Sequence, residues 1–430
     1  MGKSFASLTN FQIINNISLA KLELVIYREM KKIFRIIVCA ALCAGLFAQD
    51  AEACTTGIIS AAKSGTGRPL LWKQRDTDDF YNHMEYFKGE KYSFTALVNA
   101  YDPIREDVWV GANEKGFAIA NNVSYNINEK ASENPSCNGA VMKEALGVCA
   151  TVDEFEEFIA ARPVPKGARA NFAVIDAQGG AAYFEVGDER YFRFDVSDAP
   201  EGYLFRTNYS VAGVEDQGAG YIRYAAAEKM FTDQKKDFTP KWFMSTPSRS
   251  FYHGLMKQDL KDMKDKCFGE GYTIDQDYIP RYSSVSSVVV EGVTPGQDPK
   301  ETVLWCAIGY PPCSYAIPCW VGAEKELPAC LTSVDWESLA PANEFAMELK
   351  GVVFPIERGN GNKYLNYVKL RKEILPHVEK AEDVEVKEGE MVKAHMDANG
   401  FDLEAVKAFN KGADERFEAY KKKLAPVVGK

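Results

Sequence analysis

The sequence predicts an α+β fold in which two packed β-sheets are covered by helices on their outer faces. β-Rich segments run from Cys54 to about residue 130 and resume at residues 171–210, with a pair of helical segments between them. Blocks of strands interrupted by helix pairs are typical of layered α+β domains rather than of a regularly alternating parallel sheet. Beyond about Asn343 the chain becomes largely helical.

The predicted strands are short apolar or alternating runs that end at turn residues such as Gly, Pro and Asn. They are, in chain order, CTTGIISA, PLLWKQRD, FTALVNA, VWVGA, GFAIANNVS, NFAVIDA, AAYFEV, RYFRFDV, GYLFRTNYS, SVSSVVVEGV, TVLWCAIG and AIPCWVG.

The predicted helices show apolar residues at helical spacing. They are GAVMKEALGVCA, EFEEFIAAR, IRYAAAEKMF, the stretch after Ser248, and the C-terminal segments NEFAMELK, KYLNYVKLRKEIL and LEAVKAFNKGADERFEAYKKKL. Thr151 and Glu154 have the spacing of a capping box that opens the second helix. We expect residues 54–340 to form one domain and residues 341–430 to form a helical region that packs on it.

Residues 1–53 have the pattern of an export leader. The basic stretch KKIFR precedes the twelve-residue apolar run IIVCAALCAGLF, and the triplet AEA supplies the small residues that a signal peptidase reads. Cleavage is therefore predicted between Ala53 and Cys54, with export to the periplasm or the medium. Met30 begins a leader of ordinary length, so translation is predicted to start there.

Composition excludes several classes of function. The formal net charge of −10 argues against a nucleic-acid or anionic-membrane surface. The apolar run of the leader is too short to cross a bilayer, and no later run approaches twenty apolar residues, so no membrane span is expected. The four histidines form no HExxH array, and the cysteines at positions 306–330 lack CxxC pairs, so neither a metal nor another cofactor is expected.

A cysteine at the start of a mature chain combines a nucleophile and a base. Its α-amine has a reference pKa near 8 and can accept the thiol proton, so no histidine is required. Two other interpretations of Cys54 are a lipid anchor and a structural cysteine. Lipoprotein leaders prefer an aliphatic residue three positions before the cysteine and a small uncharged one two before it, whereas Ala51 and Glu52 stand there. The lipid anchor is therefore less favoured.

Five further motifs follow Cys54-Thr55-Thr56 in a fixed order. They are RDTD at 75–78, NEKGFAIANN at 113–122, NFAVIDAQGGAAYFEVG at 171–187, Thr207-Asn208, and Pro247-Ser248-Arg249. Together they resemble the cysteine N-terminal-nucleophile (Ntn) hydrolases: choloylglycine hydrolases, penicillin V acylases and the isopenicillin N acyltransferase group, which is peptidase C45-like. The resemblance spans Cys54 to about residue 320 and implies a four-layer αββα sandwich.

The resemblance also implies site residues and their roles. Cys54 would be the nucleophile and, through its α-amine, the base, and Asp78 would hold that amine. Arg75 would lie beside the thiol and contact the substrate, and Arg249 would brace the nucleophile. Asn208 would donate to the oxyanion, together with a second asparagine. Asn121 and Asn122 both compete for that second position, and we choose Asn122.

The implied function is exported hydrolysis of linear C–N amide bonds in a small molecule, such as an N-acyl amide, an N-acyl amino acid or a bile-salt-like conjugate, through a thioester intermediate. Transfer of the acyl group to an amine would make the protein an acyltransferase. A dipeptidase of the same superfamily is an alternative, because some of these also begin Cys-Thr-Thr. A non-catalytic, lipid-anchored binding protein is an alternative from another class. A homo-oligomer is compatible with each interpretation.

Overall fold

The computed structural model describes residues 53–128, 136–235, 237–359 and 363–429. The predicted leader up to residue 52, including its start at Met30, lies outside the described residues, and so do the residues in the gaps between these ranges.

Two antiparallel sheets contain most of the strands. The six-stranded sheet has the order β10-β1-β2-β14-β15-β16. Its strands are β1 (Thr55–Ile59), β2 (Leu70–Asp76), β10 (Tyr203–Arg206), β14 (Ser284–Glu291), β15 (Val303–Ile308) and β16 (Ile317–Trp320).

The seven-stranded sheet is a meander in which each strand pairs with the next in sequence. Its strands are β3 (Asn82–Lys88), β4 (Ser93–Asn99), β5 (Val110–Asn113), β6 (Ala118–Val123), β7 (Ala170–Ile175), β8 (Ala181–Val186) and β9 (Tyr191–Asp195). Two smaller sheets are made of β11 (Tyr252–His253) with β12 (Gln258–Asp259), and of β13 (Tyr272–Thr273), β17 (Ile356–Glu357) and β18 (Lys363–Asn366).

The two large sheets pack face to face. Because side chains alternate along a strand, every second residue of β1 and β2 points towards the other sheet. Thr56 and Lys73 are paired across β1 and β2, and both bond to the seven-stranded sheet. The Thr56 hydroxyl donates to Asn122 Oδ1 at 3.0 Å, and Lys73 Nζ donates to Asn121 Oδ1 at 2.6 Å. Apolar side chains such as Ile58 fill the remainder of this interface.

Helices α1 (Asn138–Val148) and α2 (Val152–Ala161) cover the outer face of the seven-stranded sheet. Phe155 of α2 lies 5.1 Å from Phe184 and 5.8 Å from Phe172, measured between ring centroids. The predicted N-cap is confirmed, since Thr151 Oγ1 accepts a hydrogen bond from Glu154 N at 3.1 Å. The Glu154 carboxylate reaches back to Ala150 N at 2.6 Å.

Helices α3 (Tyr221–Asp233) and α4 (Pro240–Ser245) cover the other outer face. Phe243 stacks on Trp72 with a centroid distance of 5.4 Å, and Phe231 packs over Gly57. A Cβ atom at residue 57 would lie 3.0 Å from Phe231 Cζ, so glycine permits the close approach of helix and strand. The molecule is therefore a four-layer αββα sandwich, as predicted.

Three C-terminal helices also lie against the six-stranded sheet: α5 (Pro341–Val353), α6 (Leu375–Asn399) and α7 (Leu403–Val428). A turn at Tyr367–Lys369 and a π-helical turn at Leu370–Ile374 lead into α6. Lys393 of α6 forms a buried ion pair with Glu291 of β14. In the described part of the chain, no helix is both long enough and apolar enough to cross a membrane.

The prediction of a helix after Ser248 is wrong. That region forms the hairpin β11–β12 and short 3-10 turns. A Cβ atom at Gly254 would lie 2.2 Å from the Ile222 carbonyl oxygen, and the backbone takes left-handed φ values at Lys257, Gly269 and Gly271. Such a backbone interrupts an α-helix repeatedly. Strand β3 was not predicted, and the segment KYLN forms β18 instead of a helix because it pairs with β13.

Phe155→Ala should lower the free energy of unfolding by about 3–5 kcal/mol, because it removes a fully buried ring between α2 and the sheet. Phe158→Ala on the same helix is the matched control, because the Phe158 ring is only half-buried. This change should lower the free energy of unfolding by less than Phe155→Ala does. Urea unfolding of both variants measures the difference. Equal losses would contradict the packing described here.

Candidate active site

Cys54 immediately precedes β1, and the register of β1 with β2 places it opposite Arg75. Thr55 pairs with Gln74, and the Ala53 amide donates to the Asp76 carbonyl at 3.2 Å. Directly opposed residues on antiparallel strands project from the same face of the sheet. Cys54 and Arg75 are 3% and 1% exposed, so a thiol and a guanidinium group share a buried position at the end of the sheet.

The inner face of β2 is positively charged near this position. The Arg75 guanidinium lies over the Trp109 ring at 4.3 Å from the ring centroid. Lys73, two residues earlier, donates to the Trp109 carbonyl at 3.0 Å. A positive charge beside a cysteine favours the thiolate, which is the nucleophilic form. The role of Arg75 beside the thiol stays a prediction.

Arg223 connects the site and was not predicted. It lies in the first turn of α3 and is 1% exposed. Its Nη1 donates to the Cys54 carbonyl at 2.8 Å and to Thr55 Oγ1 at 3.0 Å, and its Nη2 donates to Asn208 Oδ1 at 2.7 Å. A single guanidinium group therefore fixes the backbone of Cys54 relative to Asn208.

The burial of Arg223 and the charged groups around it change its pKa. Burial and the positive charge of Arg281 lower the pKa of Arg223, while the carboxylates of Asp76 and Asp277 and the Cys54 thiol oppose that shift. A signal for this residue exists in the sequence, because Arg223 shares a helical face with the buried residues Ala226, Ala227 and Met230. A charged residue at an apolar helical position indicates a buried polar contact.

Asn122 and Asn208 both lie close to the start of β1. Asn208 Nδ2 donates to the Val123 carbonyl at 2.9 Å. Asn122 Oδ1 accepts from Thr56, and Asn122 Nδ2 donates to the Thr207 carbonyl. The structure thus brings both asparagines to the neighbourhood of Cys54, and each amide already donates one hydrogen to a backbone carbonyl. Their role as oxyanion donors stays a prediction.

Asp78 differs in burial from Asp76, which is the last residue of β2. Asp78 is exposed and accepts a hydrogen bond from the Thr77 hydroxyl at 3.3 Å. Asp76 is buried, and its carboxylate binds Arg281 at 2.7 Å and the Ser284 hydroxyl at 2.6 Å. Arg281 also donates to the Ala53 carbonyl at 2.8 Å. The carboxylate next to the Ala53–Cys54 peptide is therefore that of Asp76, which sequence reasoning missed because the resemblance aligns Asp78 there.

Arg249 has a different set of partners from those predicted. Its guanidinium forms a buried ion pair with Glu382 of α6, with an N–O distance of 2.6 Å, and donates to the carbonyls of Pro311 and Ser314. These contacts tie α6 to the segment between β15 and β16. They correct the expectation that Arg249 hydrogen-bonds to the nucleophile.

A cleft of about 820 Å³ lies between α3, α4, the β11–β12 hairpin and the start of α6. Residues that line it include Trp242, Arg249, Tyr252 and Arg371, and Cys54 is not among them. Among the residues that the structure describes, no group of three or more His, Cys, Asp or Glu is placed to hold a metal ion, and no two cysteines form a disulfide.

Glu382→Ala should lower the free energy of unfolding by about 3–5 kcal/mol, because it leaves the Arg249 guanidinium buried without its carboxylate. Asp383→Ala is the matched control on the same helix, since its ion pair with Lys241 is exposed to solvent. Asp383→Ala should lower the free energy of unfolding by less than about 1 kcal/mol. Urea midpoints measure both, and a small loss for Glu382→Ala would contradict the anchoring role of the pair.

Three solved structures are similar to this chain over most of their own length. The Caenorhabditis elegans N-acylethanolamine-hydrolyzing acid amidase ortholog is 14% identical, with 55% of this chain and 92% of that chain covered and a TM-score of 0.36. A mutant of the conjugated bile acid hydrolase from Clostridium perfringens is 12% identical, with 63% and 93% covered and a TM-score of 0.37. Penicillin V acylase from Agrobacterium tumefaciens is 13% identical, with 62% and 86% covered and a TM-score of 0.35.

A comparison with curated proteins gives no match. The family model described as acyl-coenzyme A:6-aminopenicillanic acid acyl-transferase matches residues 73–251, a segment that contains Arg75, Asp76, Asn208 and Arg223 and begins after Cys54. Residues 73–251 are therefore similar to this acyl-transferase family, which is an Ntn family, and the match supports the resemblance to the Ntn hydrolases.

Proposed function

We propose that the protein hydrolyses linear C–N amide bonds with Cys54 as an N-terminal nucleophile, after export and removal of residues 1–53. The observation that carries the proposal is the way in which the backbone of Cys54 is held. Arg223 binds the Cys54 carbonyl, and the buried Arg75 lies opposite Cys54. In the uncleaved chain Arg281 also binds the Ala53 carbonyl, a contact that is lost when residues 1–53 are removed. The guanidinium group of Arg223 thus orients the backbone of one cysteine at the end of a central strand.

The proposed reaction follows from these positions. The α-amine of Cys54 accepts the thiol proton, and Sγ attacks the amide carbonyl of the substrate. The C–N bond breaks as the protonated α-amine gives its proton to the leaving amine, which leaves a thioester on Cys54. Water then adds to the thioester, loses a proton to the α-amine and releases a carboxylic acid, which restores the thiol.

Two parts of the site assist this reaction. Asn208 and Asn122 each have an amide group near the start of β1, and an amide N–H aimed at the developing oxyanion stabilises the tetrahedral intermediate. Asp76 lies beside residue 53, so its carboxylate is well placed to bind the new ammonium group once residues 1–53 are removed. We therefore assign to Asp76 the role that the resemblance gives to Asp78.

The description of the matching family supports acyl-group transfer as the reaction type. Water and an amine can both receive the acyl group from the same thioester, so acyltransferase activity would use the same residues. The names of the fold neighbours suggest a panel of substrates: N-acylethanolamines, conjugated bile acids and penicillin V. N-acyl amino acids and dipeptides complete it, and activity on dipeptides alone would favour the dipeptidase alternative.

Cys54→Ser should lower kcat by more than about a thousandfold, because it removes the thiolate nucleophile. Protein from an exporting host is assayed on the substrate panel after intact mass measurement and N-terminal sequencing. Cys137→Ser is the matched control, since Cys137 is exposed and directly precedes α1. The proposal expects a chain that begins with unmodified Cys54. A fatty acyl increment on Cys54 with no amidase activity would instead identify the lipid-anchored binding protein.

Arg223→Lys should lower kcat about 10- to 100-fold and change KM little. A single ammonium cannot span the Cys54 carbonyl, Thr55 Oγ1 and Asn208 Oδ1, so the nucleophile would shift from its productive position. Steady-state kinetics on the best substrate of the panel measure the effect. Arg190→Lys, at an exposed position, is the matched control. An unchanged kcat for Arg223→Lys would contradict the positioning of Cys54 by α3.

A further inference from the structure

Lys350 of α5 is a buried lysine in an aromatic box. It is 2% exposed, and its Nζ has no hydrogen-bond acceptor among the residues that the structure describes. Nζ lies 3.9 Å from the ring centroid of Phe80, 4.4 Å from that of Tyr282 and 5.9 Å from that of Tyr310. An ammonium group close to aromatic faces is attracted to the ring quadrupoles, most strongly where water is excluded.

Two of the three aromatic residues of the box, Phe80 and Tyr282, belong to the two loops beside the candidate active site, and Tyr310 follows β15. Phe80 follows the end of β2, and its ring lies 5.6 Å from that of Tyr282. Tyr282 directly follows Arg281, which binds the Ala53 carbonyl and Asp76. The two loops are also joined through their backbones, because the Thr77 amide donates to the Ser283 carbonyl at 2.8 Å. Lys350 therefore contacts both segments that shape the Cys54 end of the sheet.

We propose that the ammonium group of Lys350 is a positioning element that holds loop 77–81 and loop 276–283 together and so fixes Arg281 and Asp76 beside Cys54. Phe80 and Tyr282 are the contacts through which it acts, and α5 is the rigid support. For catalysis this inference rests on the proposed function, whereas the ordering of the loops is independent of it.

The charge of Lys350 changes near neutral pH. Burial lowers the pKa of Lys350 to about 7; Asp275, Cys313 and Asp76 act against this shift, and Lys363 adds to it. Tyr310 stays neutral, because burial raises the pKa of its hydroxyl well above the ordinary value. The ammonium form is thus present below about pH 7 and lost above it. The loops should therefore be more ordered at pH 6 than at pH 8.

Hydrogen exchange followed by mass spectrometry tests this directly. After correction for intrinsic exchange, peptides from the two loops in the wild-type protein should exchange about three- to thirtyfold more slowly at pH 6 than at pH 8, as the strength of a buried cation–π contact suggests. Lys350→Met should give fast exchange at both values. Tyr282→Leu removes one of the aromatic rings around Lys350, so at pH 6 its loops should exchange as fast as those of Lys350→Met.

Lys363→Met is the matched control, because Lys363 lies over the same Tyr282 ring but at 5.8 Å and is partly exposed. At pH 6, where Lys350 is charged in both proteins, the two loops of Lys363→Met should exchange as in the wild type. The melting temperature of Lys350→Met should not fall, since burial disfavours the ammonium in the folded state. A lower melting temperature together with unchanged loop exchange would identify Lys350 as merely structural and overturn the proposal.

Kinetics provide the second readout. Lys350→Met should lower kcat/KM at pH 6. The wild type should lose part of its kcat/KM between pH 6 and pH 8 as Lys350 loses its charge, and Lys350→Met should not show this decrease. Lys350→Arg, which keeps the charge at both values, should also lack that loss while retaining activity. If no variant and no wild-type protein cleaves any amide, the proposed function fails while the exchange data still decide the role of Lys350. Identical pH profiles for wild type and Lys350→Met would overturn its role in positioning the site.

Discussion

The pairing of β1 with β2 is the constraint on which the candidate site depends. It sets Cys54 opposite Arg75 and Ala53 opposite Asp76, and it directs Thr56 towards Asn122 in the other sheet. A shift of this register by one residue would turn each of these side chains to the opposite face. The close approach of α3 over Gly57 then completes the site, because it brings Arg223 within reach of the Cys54 carbonyl. The strand register and the packing of α3 together position Cys54.

The structure uses buried ionic groups where its layers meet. Arg206 pairs with Glu185 between the two sheets, Lys393 pairs with Glu291 between α6 and β14, and Arg249 pairs with Glu382. Each pair has both charges buried, and removing one partner would leave an uncompensated charge. Lys350 is the contrasting case, because aromatic rings replace the carboxylate partner. An arrangement of that kind costs stability, which is common where a residue serves function.

Much of the fold could be predicted from sequence because its strands are short apolar runs, because α1 and α2 carry apolar residues at helical spacing, and because α2 has a clear N-cap. The helix predicted after Ser248 does not form, for a local reason. The close backbone contact at Gly254 and the left-handed residues interrupt it, and the spacing of apolar residues in the sequence does not reveal either feature. In the site, the leader boundary and the resemblance pointed to Cys54 and Arg75, whose roles stay predictions. Helical spacing gave a signal for Arg223 but not for its partners, and nothing in the sequence singled out Asp76 or Lys350, because the contacts of all three join segments distant in sequence.

Catalysis by an N-terminal Cys54 is best tested by mass spectrometry of an acid-quenched reaction with a slowly hydrolysed N-acyl amide. We expect a chain that begins at Cys54 and is heavier by the mass of the acyl group, with the thioester mapped to the Cys54 sulfur and the α-amine unmodified. An acyl group found on another residue, or a catalytically active chain in which Ala53 is still joined to Cys54, would contradict it.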